Sequence, residues 1–302
     1  MESMIKIGTR GSRLALWQAN HVADLLGRDK TEIVIIKTKG DKIQNVSFDK
    51  MEGKGFFTKE IEDALLAGKI DLAVHSLKDL PTEGTPGLEL AAVTEREDPS
   101  DVLLVRRERF NQKGTVPLFD GAVVGTSSLR RAAQIRHEMD SLSVQPLRGN
   151  VTTRIRRLRE GKYDAIILAR AGLNRLAPNL FDLTEYTLPF SFFLPAPAQG
   201  ALALQVRAED EAAHREAGRL HHEATAVLVN AERHFLRCFG GGCHIPLGAL
   251  AFLENGMIHL SGVIAAPDGS RMVRRMTTGR NPEEVGEELA DLLKEEGAEC
   301  LV

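Results

Sequence analysis

A chain of 302 residues that is 43% hydrophobic and 27% charged is long enough for more than one core, because single domains run about 100–200 residues. A formal net charge of -3 gives no general attraction to nucleic acid. No apolar run approaches the roughly 20 residues of a membrane span, and the opening MESMIKIGTR lacks the apolar stretch of a secretion signal, so the expected setting is the cytoplasm, without membrane or nucleic-acid partners.

Strands and helices alternate from the start. MIKIG at residues 4–8 reads as a strand, and from Arg13 the residues Leu14, Trp17, Val22, Leu25 and Leu26 keep a helical stripe. EIVIIKT at 32–38 is a second strand, 57–67 a second helix and 70–74 a third strand, a βαβ rhythm that predicts a parallel sheet. Between them, residues 39–55 are rich in Gly, Lys and Asp and long enough for a lid. The rhythm returns with AVVGT (122–126) and a helix from Ser127, SVQPL (143–147) and a helix from Val151, then YDAIILA (163–169) and a helix from Gly172 onward. Two similar α/β lobes follow from this repetition. A long helical pattern from Glu209 through Arg237 then runs into FGGGCHIPLGA. Strand-like runs at 249–253, 257–263 and 271–277, split by Glu254-Asn255-Gly256 and Pro267-Asp268-Gly269, precede a last helix at 282–297 and predict a small α+β domain.

The charge is unevenly spread. Between Arg130 and Arg175 stand ten Arg and one Lys against four acids, and Tyr163 is the sole aromatic there, so the stacking platforms of single-strand nucleic-acid binders are missing. A small, multiply charged anion fits this region better. TRGS (9–12), GTSSLRR (125–131) and RGNVTTR (148–154) each sit where a strand gives way to a helix, where free N–H groups and the helix dipole favour an anion. Each loop carries Arg, whose planar fork matches a carboxylate at two points. Any one of them fits an ordinary capped helix. Three at corresponding sheet ends predict one anion-binding cleft.

VHSLKDLP (74–81) places Lys78 and Asp79 at the carboxyl end of a strand. A carboxylate among cations stays ionised and can stabilise developing positive charge, although spacing alone fits a Lys–Asp pair closing a turn slightly better. His75 reads as structural. Three cysteines do not make a disulfide framework, so each thiol needs its own account. Cys243 follows three glycines, which remove steric cover from its sulfur, and an exposed thiolate is a strong nucleophile. A zinc site from His234, Cys238, Cys243 and His244 is disfavoured by its spacing, and no metal is expected. Cys238 and Cys300 read as incidental.

GTRGSRLALWQA, VHSLKDLPT, GTSSLRR, RGNVTTRIRRL, DAIILARAGLNRL, PAPAQGALALQVR and ERHFLRCFGGGCHIPLGA, in this order, resemble the porphobilinogen deaminase (hydroxymethylbilane synthase) family. The resemblance spans almost the whole chain and weakens after about residue 250. It implies two periplasmic-binding-protein-like lobes plus a small α+β C-terminal domain: 1–96 with 195–216, then 97–194, then 217–302. It also implies a transferase of tetrapyrrole biosynthesis that condenses four porphobilinogen molecules head to tail, releasing ammonia, and frees the product with water. The primer is a dipyrromethane cofactor, one per chain, joined by a thioether to Cys243. Every ring carries an acetate and a propionate, which accounts for the arginines.

By matching positions, Asp79 is the catalytic carboxylate. Arg10, Ser12, Lys78, Ser127, Ser128, Arg130, Arg131, Arg148 and Arg154 hold the cofactor, and Arg10, Ser12, Arg148, Arg154, Arg175 and Gln199 hold substrate. Lys54 and Phe57 belong to the lid. The resemblance favours a monomer. The sequence departs from the family at Ala198, where glycine is commoner. A non-catalytic two-lobed anion-binding protein would use the same Arg loops, but needs neither Cys243 nor Asp79.

Overall fold

The computed structural model describes residues 4–38, 58–242 and 245–301. The expected lid, with Lys54 and Phe57, and the loop residues Cys243 and His244 lie outside the described residues. The chain divides into two compact units, Met1–Glu97 with Gly200–Val227, and Asp98–Gln199 with Leu228–Val302.

In the first unit, β1 (Ile5–Arg10) pairs in parallel with β2 (Thr31–Ile36) and with β3 (Leu72–Ser76). α1 (Arg13–Leu26) connects β1 to β2, capped by Ser12, whose hydroxyl accepts the Ala15 N–H at 3.3 Å. α1 turns Ala19, Val22, Ala23 and Leu26 onto Ile7, Leu72 and Val74, each large aliphatic contributing about 1.5–3 kcal/mol on burial. Leu25, expected in that stripe, is exposed, and Trp17 stacks on His21 instead. α2 (Lys59–Leu66) covers the other face through Ile61, Ala64 and Leu65 against Ile70 and Ala73. β4 (Leu88–Val93) closes the sheet, but not directly. β10 (Leu202–Arg207), returning from far along the chain, is inserted antiparallel between β3 and β4, and α6 (Glu211–Gly218) packs on the same core.

The second unit repeats this plan. Its sheet runs β7 (Ser143–Gln145), β6 (Val123–Gly125), β8 (Ala165–Ala169), β5 (Asp101–Arg106) and β9 (Leu183–Thr187). β6, β7 and β8 are parallel, and β5 is antiparallel to both neighbours, as β10 is in the first sheet. The helices α3 (Leu129–Glu138), α4 (Val151–Arg159) and α5 (Arg170–Leu176) follow β6, β7 and β8. The expected parallel sheets are therefore mixed. The reason is covalent: once the chain has crossed between units, it enters each sheet from the opposite end.

A separate three-stranded antiparallel sheet, β11 (Leu247–Glu254), β12 (Met257–Ala265) and β13 (Met272–Gly279), with α7 (Glu223–Arg237) and α8 (Pro282–Glu295), completes the fold as a small α+β domain. Gly262 lets the helices close on it, since a Cβ there would lie 2.7 Å from Leu289 and 2.9 Å from Phe235. This domain clusters with the second lobe because Arg136 Nη1 donates to the Pro267 carbonyl at 2.9 Å, and Gly269 abuts α3 so closely that a Cβ would sit 2.6 Å from Arg136. The single helix expected over 209–237 is two. Gly218 ends α6, and His222 Nδ1 accepts the Thr225 N–H at 3.3 Å, starting α7 afresh.

Candidate active site

In the first unit the parallel register of β1 and β3 sets their carboxyl ends side by side. Arg10, half-buried, ends β1, and Ser12 caps the helix that follows. Beyond β3 the chain makes a short 3₁₀ turn, Leu77–Asp79, anchored by the fully buried Leu77, whose N–H bonds the Ala201 carbonyl at 3.0 Å. That anchor leaves Asp79 exposed and Lys78 half-buried at the same sheet edge as Arg10. Gln18, 3% exposed on α1, donates from Nε2 to Ser76 Oγ at 2.9 Å and so ties α1 to the residue preceding the turn. Sequence reasoning passed over Gln18, although an amide inside an apolar helix stripe was a usable signal.

His75 is structural. Gln205 donates its Nε2 to Glu62 at 3.0 Å, which turns its carbonyl oxygen toward His75 Nε2 at 3.1 Å. Burial pulls the imidazole down to about 4, against the opposing hydrogen bond from Gln205, so the ring is neutral at pH 7 and donates.

In the second unit the amino ends of α3, α4 and α5 gather where β6, β7 and β8 end. Ser128 caps α3, accepting the Arg131 N–H at 3.4 Å, and Asn150 caps α4, accepting from Thr153 at 2.9 Å. Ser127 Oγ donates to the Leu147 carbonyl at 3.0 Å, joining the first loop to the second. Gly149 has φ +105°, and a Cβ there would meet Thr153 at 2.7 Å, so the loop between Arg148 and α4 needs glycine on two grounds. Arg154 folds back through Nε to the Gly149 carbonyl at 2.7 Å. Arg148, Arg154 and Arg175 are all half-buried.

Arg130 and Arg131 differ from the expectation of open, cleft-facing cations. They are 5% and 6% exposed and converge on Asp101, itself 1% exposed. Arg130 Nη1 lies 2.7 Å from Oδ2, while Arg131 reaches Oδ1 from Nε at 3.2 Å and Nη2 at 2.6 Å. Gln199, expected at the substrate, is 1% exposed and donates to Asp101 Oδ1 at 2.9 Å and to the Pro99 carbonyl at 2.8 Å. Burial pushes the Asp101 carboxyl up, but the two guanidinium groups outweigh it and hold it well below the ordinary carboxylate range. Burial lowers Arg130, with Asp101 opposing. Asp101 escaped the sequence reading because an acid at the start of a strand passes for a solvated one.

Beside this cluster, Ala198 takes a left-handed φ of +60°, a conformation that glycine adopts at less cost. The fully buried Glu232 compensates, accepting the Ala198 N–H at 2.6 Å and the Ala251 N–H at 2.8 Å. Among the described residues no group of His, Cys, Asp and Glu is arranged to hold a metal, and no helix is long and apolar enough to cross a membrane.

Known proteins are similar to this chain over its whole length. The family model described as porphobilinogen deaminase, dipyromethane cofactor binding domain, matches residues 5–215, and that of the porphobilinogen deaminase C-terminal domain matches residues 226–295. The porphobilinogen deaminase of Syntrophomonas wolfei is 45% identical, covering 99% of this chain and 97% of the relative. That of Shouchella clausii is 46% identical over 99% and 96%, and that of Maridesulfovibrio salexigens 48% over 91% and 89%. Among solved structures, an ancestral cationic amino acid solute binding protein is similar with a TM-score of 0.42 at 14% identity, covering 72% of this chain and 88% of that one. With both family models matched in order and this identity sustained from end to end, the chain belongs to the porphobilinogen deaminase family.

Proposed function

We propose that the chain is a porphobilinogen deaminase, a transferase that condenses four porphobilinogen molecules head to tail with release of ammonia and then frees hydroxymethylbilane by hydrolysis. The observation that carries this reading is the exposed Asp79, presented by a buried anchor at the same sheet edge as Arg10. A carboxylate so placed can lie against a pyrrole N–H and accept from it. As the ammonium group leaves porphobilinogen, positive charge spreads onto that nitrogen, and Asp79 stabilises it without giving up its own position.

The residues fit the dipyrromethane group by the chemistry of their donors. Guanidinium forks and hydroxyls gather at the edge of the second lobe, and a serine that caps a helix with its lone pair still has an O–H to donate. Ser127, Ser128, Arg130, Arg131, Arg148 and Arg154 would hold its acid side chains in that lobe, and Arg10, Ser12 and Lys78 in the first. Cys243 would hold it by a thioether. When bound, the group supplies the nucleophilic α-carbon to which pyrrole units are added, and it remains attached through turnover. Arg175 adds charge for incoming substrate carboxylates. Gln199, assigned to substrate by resemblance, acts in this reading through its bond to Asp101. The protein works as a cytoplasmic monomer whose partner is the small-molecule substrate.

The mass of intact protein from a host making porphobilinogen tests this. An increment of two pyrrole units, lost in Cys243→Ser, is expected, and an unmodified wild-type mass overturns the reading. Chelators should leave ammonia release unchanged.

A further inference from the structure

We infer that Asp101 is a positioning residue for anion binding in the second lobe, fixing where Arg130 and Arg131 present their positive charge. The inference deepens the deaminase reading and rests on it.

Asp101 opens β5 in register with Ala169, the last residue of β8, which puts its carboxylate at the sheet edge where α3, α4 and α5 begin. An ionised carboxylate offers about four acceptor positions. Arg130 takes one, Arg131 two and Gln199 one, at 2.6–3.2 Å. Three of these bonds fall on Oδ1 and one on Oδ2, and at 1% exposure the carboxylate holds its neighbours and is closed to a ligand. The guanidinium groups are also fixed from behind, Arg130 Nη1 by the Leu194 carbonyl at 2.7 Å and Arg131 Nη1 by the Ile167 carbonyl at 3.2 Å. Gln134 braces the same Leu194 carbonyl at 3.0 Å.

The charges do not cancel. Two guanidinium groups face one carboxylate, which leaves one positive charge in excess where exposure is 5–6%. Buried charge is costly until it is compensated, so such a pair favours one further anionic oxygen group. Ser128, whose hydroxyl accepts in its cap bond and keeps its O–H to donate, stands in the loop before α3. Without Asp101 the two cations repel each other and lose their common orientation, as happens when the outer partner of a ligating side chain is removed.

The test compares wild type, Asp101→Asn, Asp101→Glu, Arg131→Leu and the Asp101→Asn/Arg131→Leu pair, all made in a host producing porphobilinogen. Intact mass gives the fraction carrying the pyrrole adduct, circular dichroism the folded fraction, and steady-state ammonia release kcat and KM. Asp101→Asn is expected to stay folded at low temperature, to carry about tenfold less adduct and to raise KM more than it lowers kcat. The pair should lose less than the sum of the two single variants, because Asp101 acts in part through that arginine. Asp101→Glu should restore adduct to within about threefold of wild type. Folded Asp101→Asn with wild-type adduct and KM overturns the inference, and so do additive losses in the pair. If Asp101→Asn does not fold, Asp101→Glu decides: folded with partial adduct supports the inference, and folded but without adduct, or unfolded, overturns it. A wild type without adduct would sink the deaminase reading itself, which is a different result.

Discussion

The two lobes share one strand order, with an antiparallel strand inserted at the same place in each, yet they place their carboxylates in opposite surroundings. After β3 the first lobe makes a tight turn that pushes Asp79 into the open. After the corresponding β8 the second lobe starts a helix, and its acid, Asp101, lies inside beneath two arginines. One scaffold thus gives an exposed carboxylate, the one proposed above to act on substrate, and a buried carboxylate held by two arginines. Exposure separates the two, since the amino acid is the same: Asp79 ends the turn that follows β3, and Asp101 opens β5.

The comparison is tested most severely at Asp79. Asp79→Asn should lower kcat for ammonia release by about 10²–10⁴-fold while leaving the thermal midpoint unchanged. An active variant would make Asp79 another surface acid. Asp101→Asn should do the reverse, costing about 3–5 kcal/mol of stability in denaturant titrations at pH 7 because two buried cations lose their partner. Its folded pKa lies below the unfolded value of about 3.9, so the stabilisation is fully present above that value and is lost as pH falls below it. The gap between wild type and variant should therefore stay constant down to about pH 4 and narrow only beneath it.

His75 gives the first lobe a different acid response. Its folded pKa of about 4 against an unfolded value of about 6.5 means that the unfolded chain takes up the proton first. Stability contributed by the neutral ring is complete above pH 6.5 and falls by about 3 kcal/mol toward pH 4, a slope that His75→Gln should remove. Hydrogen exchange across this range should loosen the first unit before the second. Simultaneous loosening would mean that the lobes do not differ as described. The smallest effect is expected at Ala198→Gly, which relieves a left-handed alanine and should raise stability by about 1 kcal/mol in thermal unfolding. No gain would mean that Glu232 already offsets the strain.

Much of this was legible in the sequence, and the gaps have physical causes. The βαβ alternation gave β1, β2, β3, β6, β7 and β8; burial on both faces writes an apolar run into β3 and β8, and the helices that follow marked the more exposed strands. Periodicity carries no direction, so the antiparallel course of β5 and β10 could not be read. The anion loops were visible in GTSSLRR and RGNVTTR because capping and dipole effects demand Ser, Thr, Asn and Gly locally. Arg130 and Arg131 read as open, cleft-facing cations because their partner stands 29 and 30 residues upstream. The split of 209–237 into two helices turned on Gly218, whose cost to a helix a long apolar pattern conceals.

The inserted strand β10 also bears on how the molecule is made. The first sheet cannot join β3 to β4 until residues 202–207 have left the ribosome, more than a hundred residues after β4 itself. During that interval two strand edges wait without their shared neighbour, a state open to mispairing or to capture by chaperones. Synthesis from the N-terminus therefore does not finish the first lobe first. The second five-stranded sheet, complete by Thr187, can close while the first is still waiting.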